Sequence, residues 1–317
     1  MENLGTFKDQ WLTSTVEPVN KIVWRLSEDA QARILNANYT PSMLIAKQRL
    51  AVLAMRREMG DNPFVALSGG IDSQAACLLL KKSSVPFTAA IMEFNDNLNE
   101  HDVSNALDFC GAHNIPHVII KFDILGFLAR SLNAYVEKYD CPSPQLLTHC
   151  RLFEILIEEH NPSSIICGGN PPSIREGEWE FISNRSHSVW MTFAKLNKYP
   201  LIGNFLGYSL DIALPFMMLQ PDMPSDLSQR YAAKVAGLQR GGLQIMPQKQ
   251  KFTGFEKVKQ HFASVTGDGW TFEKSFRLPH HRKRPEYDSL FEIPDDLAQF
   301  LSDKHRELNK PETTEKE

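Results

Sequence analysis

Apolar runs and amphipathic stretches alternate along the first half of the chain. Residues 63–67 are a short apolar run, and 72–82 follow as a helix. Residues 87–92 read as a strand, and 99–113 as a helix with Val103, Ala106, Leu107 and Cys110 on one face. Residues 117–122 form a third strand. The helix predicted over 124–138 repeats Leu125, Leu128, Leu132 and Val136. A last amphipathic helix over 146–159 is stopped by Asn161-Pro162, and 164–167 are a fourth strand. Short apolar runs alternating with 3.6-period segments predict a parallel sheet with helices on both faces, a doubly wound α/β fold. Ahead of it, 42–59 read as a helix capped by Thr40 with Pro41 in its first turn and Gly60 at its end. Its expected buried stripe is Leu44, Leu50, Leu53 and Ala54.

Beyond residue 173 this rhythm fails. Residues 179–190 are polar and aromatic, and 199–205 fit a strand or a buried turn. Helices are predicted over 209–220, 227–238 and 254–263. The chain therefore divides into an N-terminal extension (1–40), an α/β domain (41–172), an α-rich C-terminal region (173–300) and an acidic, disordered tail (301–317).

Composition excludes several classes. The 317 residues are 42% hydrophobic, enough for a substantial core. No run of 18 apolar residues and no signal-peptide core are present, which predicts a cytoplasmic protein without a membrane span. Five cysteines without a C-x-x-C pair fit a reducing compartment and neither a disulfide scaffold nor a zinc ribbon. The net charge of −4 disfavours a generic nucleic-acid binder. Residues 240–284 nevertheless hold ten Lys/Arg against three acids, Glu256, Asp268 and Glu273. That leaves either a solvated surface or a phosphate or nucleic-acid site. The cluster His280, His281, Arg282, Lys283 and Arg284 belongs to it.

The chemistry concentrates between the first strand and its helix, at Ser68-Gly69-Gly70-Ile71-Asp72-Ser73. A glycine turn running into a helix presents backbone N–H groups and the positive end of the helix dipole to one anion. Ser68 and Ser73 add hydroxyl donors. Asp72 is a poor direct neighbour for phosphate, so a Mg²⁺ ion or a water has to bridge it. No lysine follows the glycines, so this is not a Walker A loop. The stretch matches the S-G-G-x-D-S signature of the PP-loop ATP pyrophosphatases and resembles that superfamily, which includes asparagine, GMP and NAD synthetases and several tRNA thiolases.

The resemblance implies a Rossmann-like fold for 41–172, ATP cleaved between its α and β phosphates, and an adenylated substrate. It implies an AMP-forming ligase, asparagine-synthetase-like, that activates a carboxylate or carbonyl for ammonia or an amine, with ATP and Mg²⁺ as cofactors. By position it places ATP along Ala66, Leu67, Ser68, Gly69, Gly70, Ile71, Asp72 and Ser73, with adenine also against Ile91 and Met92. Glu93 is a candidate for the ribose or the metal. The turn Gly168-Gly169-Asn170 after the fourth strand is expected near the α-phosphate. Two prolines stand there where related chains carry an acid, so the acceptor substrate stays open.

Departing pyrophosphate needs positive charge. In similar chains a lysine of the C-terminal helical part supplies it, which nominates Lys249 and Lys251, with Arg175, Arg185 and Arg240 as rivals. The expected catalytic set is Asp72, Ser73, Lys249 and Lys251, with Asp72 as the metal ligand. Two alternatives remain at this stage. Cys141, Cys150 and Cys167 raise a sulfurtransferase acting on an RNA or DNA base, or a sulfate-nucleotide reductase. A nucleotide sensor without turnover is the other. His113 and His117, separated by Pro116, read as a helix end and a strand start rather than paired metal ligands. Partners are ATP and an unidentified acceptor, and a homo-oligomer is left open.

Overall fold

The computed structural model describes residues 11–17, 21–36, 38–141, 143–175, 178–180, 184–219, 223–224, 226–248, 254–266 and 288–308. Strands β1 (Leu12–Glu17) and β2 (Lys21–Leu26) pair antiparallel. Helices α1 (Glu28–Leu35), α2 (Pro41–Ala54) and α3 (Arg56–Met59) lead into β3 (Pro63–Ala66). Then come α4 (Ile71–Lys82), β4 (Thr88–Phe94), α5 (Glu100–His113) and β5 (His117–Phe122). Helices α6 (Ile124–Arg130), α7 (Leu132–Tyr139) and α8 (Pro144–His160) precede β6 (Ser164–Ile166). A ribbon of β7 (Ser173–Arg175) and β8 (Glu178–Glu180) is followed by α9 (Asn184–Asn197) and β9 (Leu201–Ile202). The chain continues through α10 (Leu210–Leu219), α11 (Leu227–Arg240), α12 (Gly254–Thr266), β10 (Asp288–Glu292) and α13 (Asp295–Leu308).

The main sheet is parallel throughout, in the order β5-β4-β3-β6-β9. Both faces are covered, so successive strand residues feed different cores. Val65, Ile91 and Ile166 pack with Leu79, Phe109, Phe205 and Ile212 on one face. Phe64, Ala90 and Ile165 pack with Leu128, Phe153 and Phe193 on the other. This is the doubly wound α/β architecture that the apolar runs predict. Strand order reverses between β3 and β6, and ligands of such sheets bind beyond the strand ends at that reversal.

Three features differ from the sequence reading. The sheet runs past the boundary drawn at 172, because β9 pairs with β6 through Ile165↔Leu201 and Ile166↔Ile202. Two residues are too few to show a strand period, which is why 199–205 stayed ambiguous. The N-terminal strands are not a separate extension, since β10 pairs in parallel with β2 and a third core joins Trp11, Leu26 and Ile34 to Met217, Leu297 and Leu301. Residues 301–308, assigned to the tail, continue α13 with Leu301 buried; 309–317 lie outside the described residues.

Helix α2 also turns a different face inward. Its cap is as expected, with Thr40 accepting from the Met43 N–H and Pro41 in the first turn. The buried positions are Leu44, Gln48 and Val52, while Leu50 is 65% exposed. The Gln48 amide donates to Ile212 O of α10 at 2.8 Å, in a helix where Pro215 removes one backbone donor. No helix among the described residues is long and apolar enough to cross a membrane.

Candidate active site

The loop after β3 is built by its own short side chains. Leu67 extends the ladder by donating to Ala90 O at 2.9 Å. Gly69 then takes φ +78°, and a side chain there would run into Asp102 O of α5. Gly70 caps α4, and Ser73 in its first turn donates through Oγ to Gly70 O at 2.8 Å while accepting from the Ser68 N–H at 3.3 Å. Ser73 is buried and engaged within the loop, so its place is to hold the turn. Ser68 is exposed at the mouth. Ile71 is buried in the core, so any part it has in binding comes through its backbone.

Two amides fix the peptide plane of the turn. Gly69 O accepts from Gln74 Nε2 at 3.0 Å and from Asn105 Nδ2 at 2.7 Å. The same Gln74 side chain exchanges both hydrogen bonds with Met246, at 2.7 Å to its N–H and 2.9 Å to its carbonyl. The segment 243–248 is thereby tied to the back of the loop. It is held further on by Gln248, whose N–H donates to Tyr231 Oη at 3.1 Å and whose amide donates to Asp102 Oδ1 at 2.7 Å. Lys249 and Lys251 follow in sequence and lie outside the described residues, as do His280, His281, Arg282, Lys283 and Arg284. The side chains of Arg175 and Arg185 also lie outside them, and Arg240 is exposed at the end of α11.

The turn after β6 closes onto this loop. A Cβ on Gly168 would lie 2.5 Å from Asp72 O and 2.9 Å from Ser73 N, so only glycine permits this approach. Gly169 takes φ +73° and is backed by Asn204. Asn170 is exposed beside it. The ends of β3 and β6 therefore meet at the switch point.

Asp72 faces a lysine that the sequence reading did not single out. Lys234 Nζ lies 2.7 Å from Asp72 Oδ1, 2.8 Å from Oδ2 and 3.4 Å from Asn170 Oδ1. The two charged side chains are 30% and 22% exposed. Tyr231, one turn earlier on α11, shares this corner. Burial raises its phenol above the usual value, the Gln248 N–H partly offsets that, and the Asp72 charge adds to it. The helical spacing of Tyr231 and Lys234 put them on one face, but nothing local tied that face to residue 72.

The second strand end is more peripheral. Ala66, Met92 and Glu93 are half-buried. Asn99 pins the chain after β4, accepting from Phe94 N–H at 2.8 Å and donating to Met92 O at 2.7 Å. Ile91 is part of the core. Among the described residues no group of three or more His, Cys, Asp or Glu is placed to hold a metal. A divalent ion at Asp72 would draw its other ligands from phosphate and water, which is how Mg²⁺ is ordinarily held. Lys234 would have to share or yield that carboxylate to such an ion.

Cys141, Cys150 and Cys167 do gather behind the β6 end, all buried in one core. Burial pushes the Cys150 thiol far up, with Cys141, Glu154 and Cys167 adding to it. Burial alone pushes Cys167 up to about 12. Thiols held protonated and out of solvent are poor nucleophiles. His113 and His117 stand apart: His113 Nε2 meets Gln244 O at 3.0 Å, and His117 Nδ1 meets Ile115 O at 3.2 Å.

The fold and site define a doubly wound α/β protein with a serine–glycine loop at its switch point. The Ser68–Ser73 stretch of that unit resembles the PP-loop ATP pyrophosphatases in motif. No family model matches the chain, and no curated protein matches it in sequence. Among solved structures it is similar to the NMN synthetase of Francisella tularensis, with 18% identity over 72% of this chain and 95% of that one and a TM-score of 0.34. It is similar also to a glutamine-dependent NAD+ synthetase of Acinetobacter baumannii, with 15% identity over 50% of this chain and 30% of that one and a TM-score of 0.33. A third is the predicted subunit of tRNA methyltransferase of Methanocaldococcus jannaschii, with 20% identity over 44% and 66% and a TM-score of 0.30. Likenesses this remote carry no argument about activity.

Proposed function

We propose that this chain is an AMP-forming ATP pyrophosphatase of the PP-loop class that adenylates an acceptor oxygen. The observation that carries the reading is the meeting at one point of the serine–glycine loop, the α4 N-terminus, the Gly168 turn and the Asp72–Lys234 pair. The N–H groups of the loop and the helix end suit a pyrophosphate leaving group, because they face developing negative charge without reorganising. Asp72 would hold Mg²⁺, which when bound neutralises charge across the phosphates. Lys234 is the described cation nearest that carboxylate, and Lys249 and Lys251 stay as further candidates from the segment that follows Gln248.

In the reaction, an acceptor carboxylate or carbonyl oxygen forms a bond to the α-phosphorus. The bond from that phosphorus to the bridging oxygen breaks, and its electron pair leaves with pyrophosphate. Ammonia or an amine then attacks the activated carbon, and AMP leaves with the former acceptor oxygen. Gly168, Gly169 and Asn170 line the side from which an acceptor would approach. The buried, protonated cysteines disfavour sulfur transfer. Five free, buried thiols suit a reducing compartment, and we place the protein in the cytoplasm.

The test is ATP binding by calorimetry, followed by chromatography of α-labelled ATP over a panel of carboxylate and carbonyl acceptors with ammonia present. AMP should form, Asp72→Ala should abolish it, and Cys150→Ala should retain it. Production of ADP in place of AMP, or full activity in Asp72→Ala, would sink the reading. Loss of turnover in a folded Cys150→Ala variant would revive sulfur chemistry.

A further inference from the structure

Lys234 sits against the carboxylate that the loop offers to a cation. Its ammonium donates to Asp72 Oδ2 at 2.8 Å and stands 2.7 Å from Oδ1, which has no hydrogen-bond partner of its own, so it already neutralises the carboxylate that an incoming cation would use. An ion bound at ordinary Mg²⁺–oxygen distance, about 2.1 Å, would lie within van der Waals reach of that ammonium. Two cations so close repel strongly in a partly desolvated corner, and the pair is mostly screened from solvent. Lys234 and a divalent ion therefore compete for the Asp72 carboxylate.

Lys234 also has somewhere to go. It projects from α11 on a flexible four-carbon stem and already contacts Asn170 Oδ1, at 3.4 Å, on the turn that closes over the loop. Displaced from Asp72, the ammonium keeps Asn170 Oδ1 within reach, beside the turn whose Gly168 presses on Asp72 O. Tyr231, on the same helix face, is fixed by the Gln248 N–H, which keeps this part of α11 registered against the loop.

We propose that Lys234 is an exchangeable counter-ion that occupies Asp72 in the nucleotide-free protein and passes to the phosphates when a divalent ion takes the carboxylate. The nucleotide and the metal then enter together, and free metal binds poorly. The phosphate half of this inference rests on the ATP reading above; the exclusion of free metal does not.

The probe for the first half is Mn²⁺ alone, followed by its electron paramagnetic resonance signal in the absence of nucleotide. Lys234→Met should bind Mn²⁺ roughly tenfold or more tightly than the parent, since it removes a competing charge. The gain should vanish in the Lys234→Met/Asp72→Asn double variant, with circular dichroism verifying that each variant is folded. Equal Mn²⁺ affinity in the parent and Lys234→Met, or a gain that survives loss of Asp72, would overturn the exchange. The probe for the second half is inorganic pyrophosphate with Mg²⁺, by calorimetry. Lys234→Met should weaken it roughly tenfold, the loss of one charge-assisted contact, and unchanged affinity would overturn the transfer to phosphate. If the Mn²⁺ result holds while the parent binds neither ATP nor pyrophosphate, the nucleotide reading fails and the carboxylate exclusion stands.

Discussion

Gly168→Ala tests the contact on which the site depends. The new Cβ would stand 2.5 Å from Asp72 O, 2.7 Å from Asp72 C and 2.9 Å from Ser73 N, all backbone atoms. Backbone cannot rotate away as a side-chain tip can. Restoring ordinary separation requires the two loops to part by roughly 0.7 Å or more. Overpacking of this kind costs about 1–3 kcal/mol, which should lower the melting temperature by several degrees. The larger effect should fall on binding. The displaced atoms are the first turn of α4 and the residues flanking the anion loop, and misplacement approaching 1 Å costs up to about a hundredfold where alignment matters. ATP affinity by calorimetry should fall at least about tenfold. Gly111→Ala supplies the control: nothing lies within 4 Å of a Cβ there, in the last turn of α5. It should leave ATP affinity unchanged and stabilise the protein by up to about 1 kcal/mol. Parental melting and ATP affinity in Gly168→Ala would refute the contact between the two loops.

Two further predictions address what holds the scaffold. Glu154 accepts from Tyr135 Oη, from Tyr139 Oη at 2.8 Å and from Lys138 Nζ at 2.7 Å, with Arg151 at 3.3 Å. Burial by itself would raise its carboxyl, but the bonds from Lys138, Tyr135 and Tyr139 outweigh burial and hold it below the usual value. A lowered carboxyl contributes stability above its unfolded-state value of about 4.3, and that contribution disappears as pH falls through the folded-state value. Glu154→Gln should therefore cost about 2 kcal/mol at pH 7, and its melting deficit should narrow below about pH 4; a deficit constant from pH 7 to pH 3 would contradict the charge-based account. On α2, Val52→Ala should cost about 2 kcal/mol, because Val52 is fully buried. Leu50→Ala, at 65% exposure, should stay within about 0.5 kcal/mol in the same melts. Equal costs would show that the helix faces the other way.

The loop and its surroundings were legible because their signals are local. The apolar run 63–67, the glycines and the helix beginning near Asp72 sit within about twenty residues, and φ +78° at Gly69 is a conformation for which glycine is the ready choice. The face of α2 was not legible. Leu44, Ile45, Ala46, Leu50, Ala51, Val52, Leu53 and Ala54 run around much of the helix, so periodicity offers no single stripe. Helix α10 chose Leu44, Gln48 and Val52, and the presence of Gln48 there follows from a carbonyl 164 positions away. The three cysteines left an alternative open for a related reason. Proximity and burial could both be suspected from the order of elements and the residue type, but only the packing of one shared core decides how buried each thiol is.

From sequence alone come the alternation of strands and helices, the serine–glycine loop at residues 68–73, and the motif resemblance on which the proposed chemistry rests. Propensity, glycine stereochemistry and hydrophobic period act between near neighbours, so they can be read along the chain. Tertiary structure decided that β9 completes the sheet, that β10 joins the N-terminal strands, that Gly168 presses on Asp72, and that Lys234 is the cation on that carboxylate. Each of these joins residues from opposite parts of the chain or across a whole crossover, where packing and charge pairing select among many locally equivalent candidates. Lys234 is one of 34 Lys and Arg residues, and only the fold brings it to Asp72.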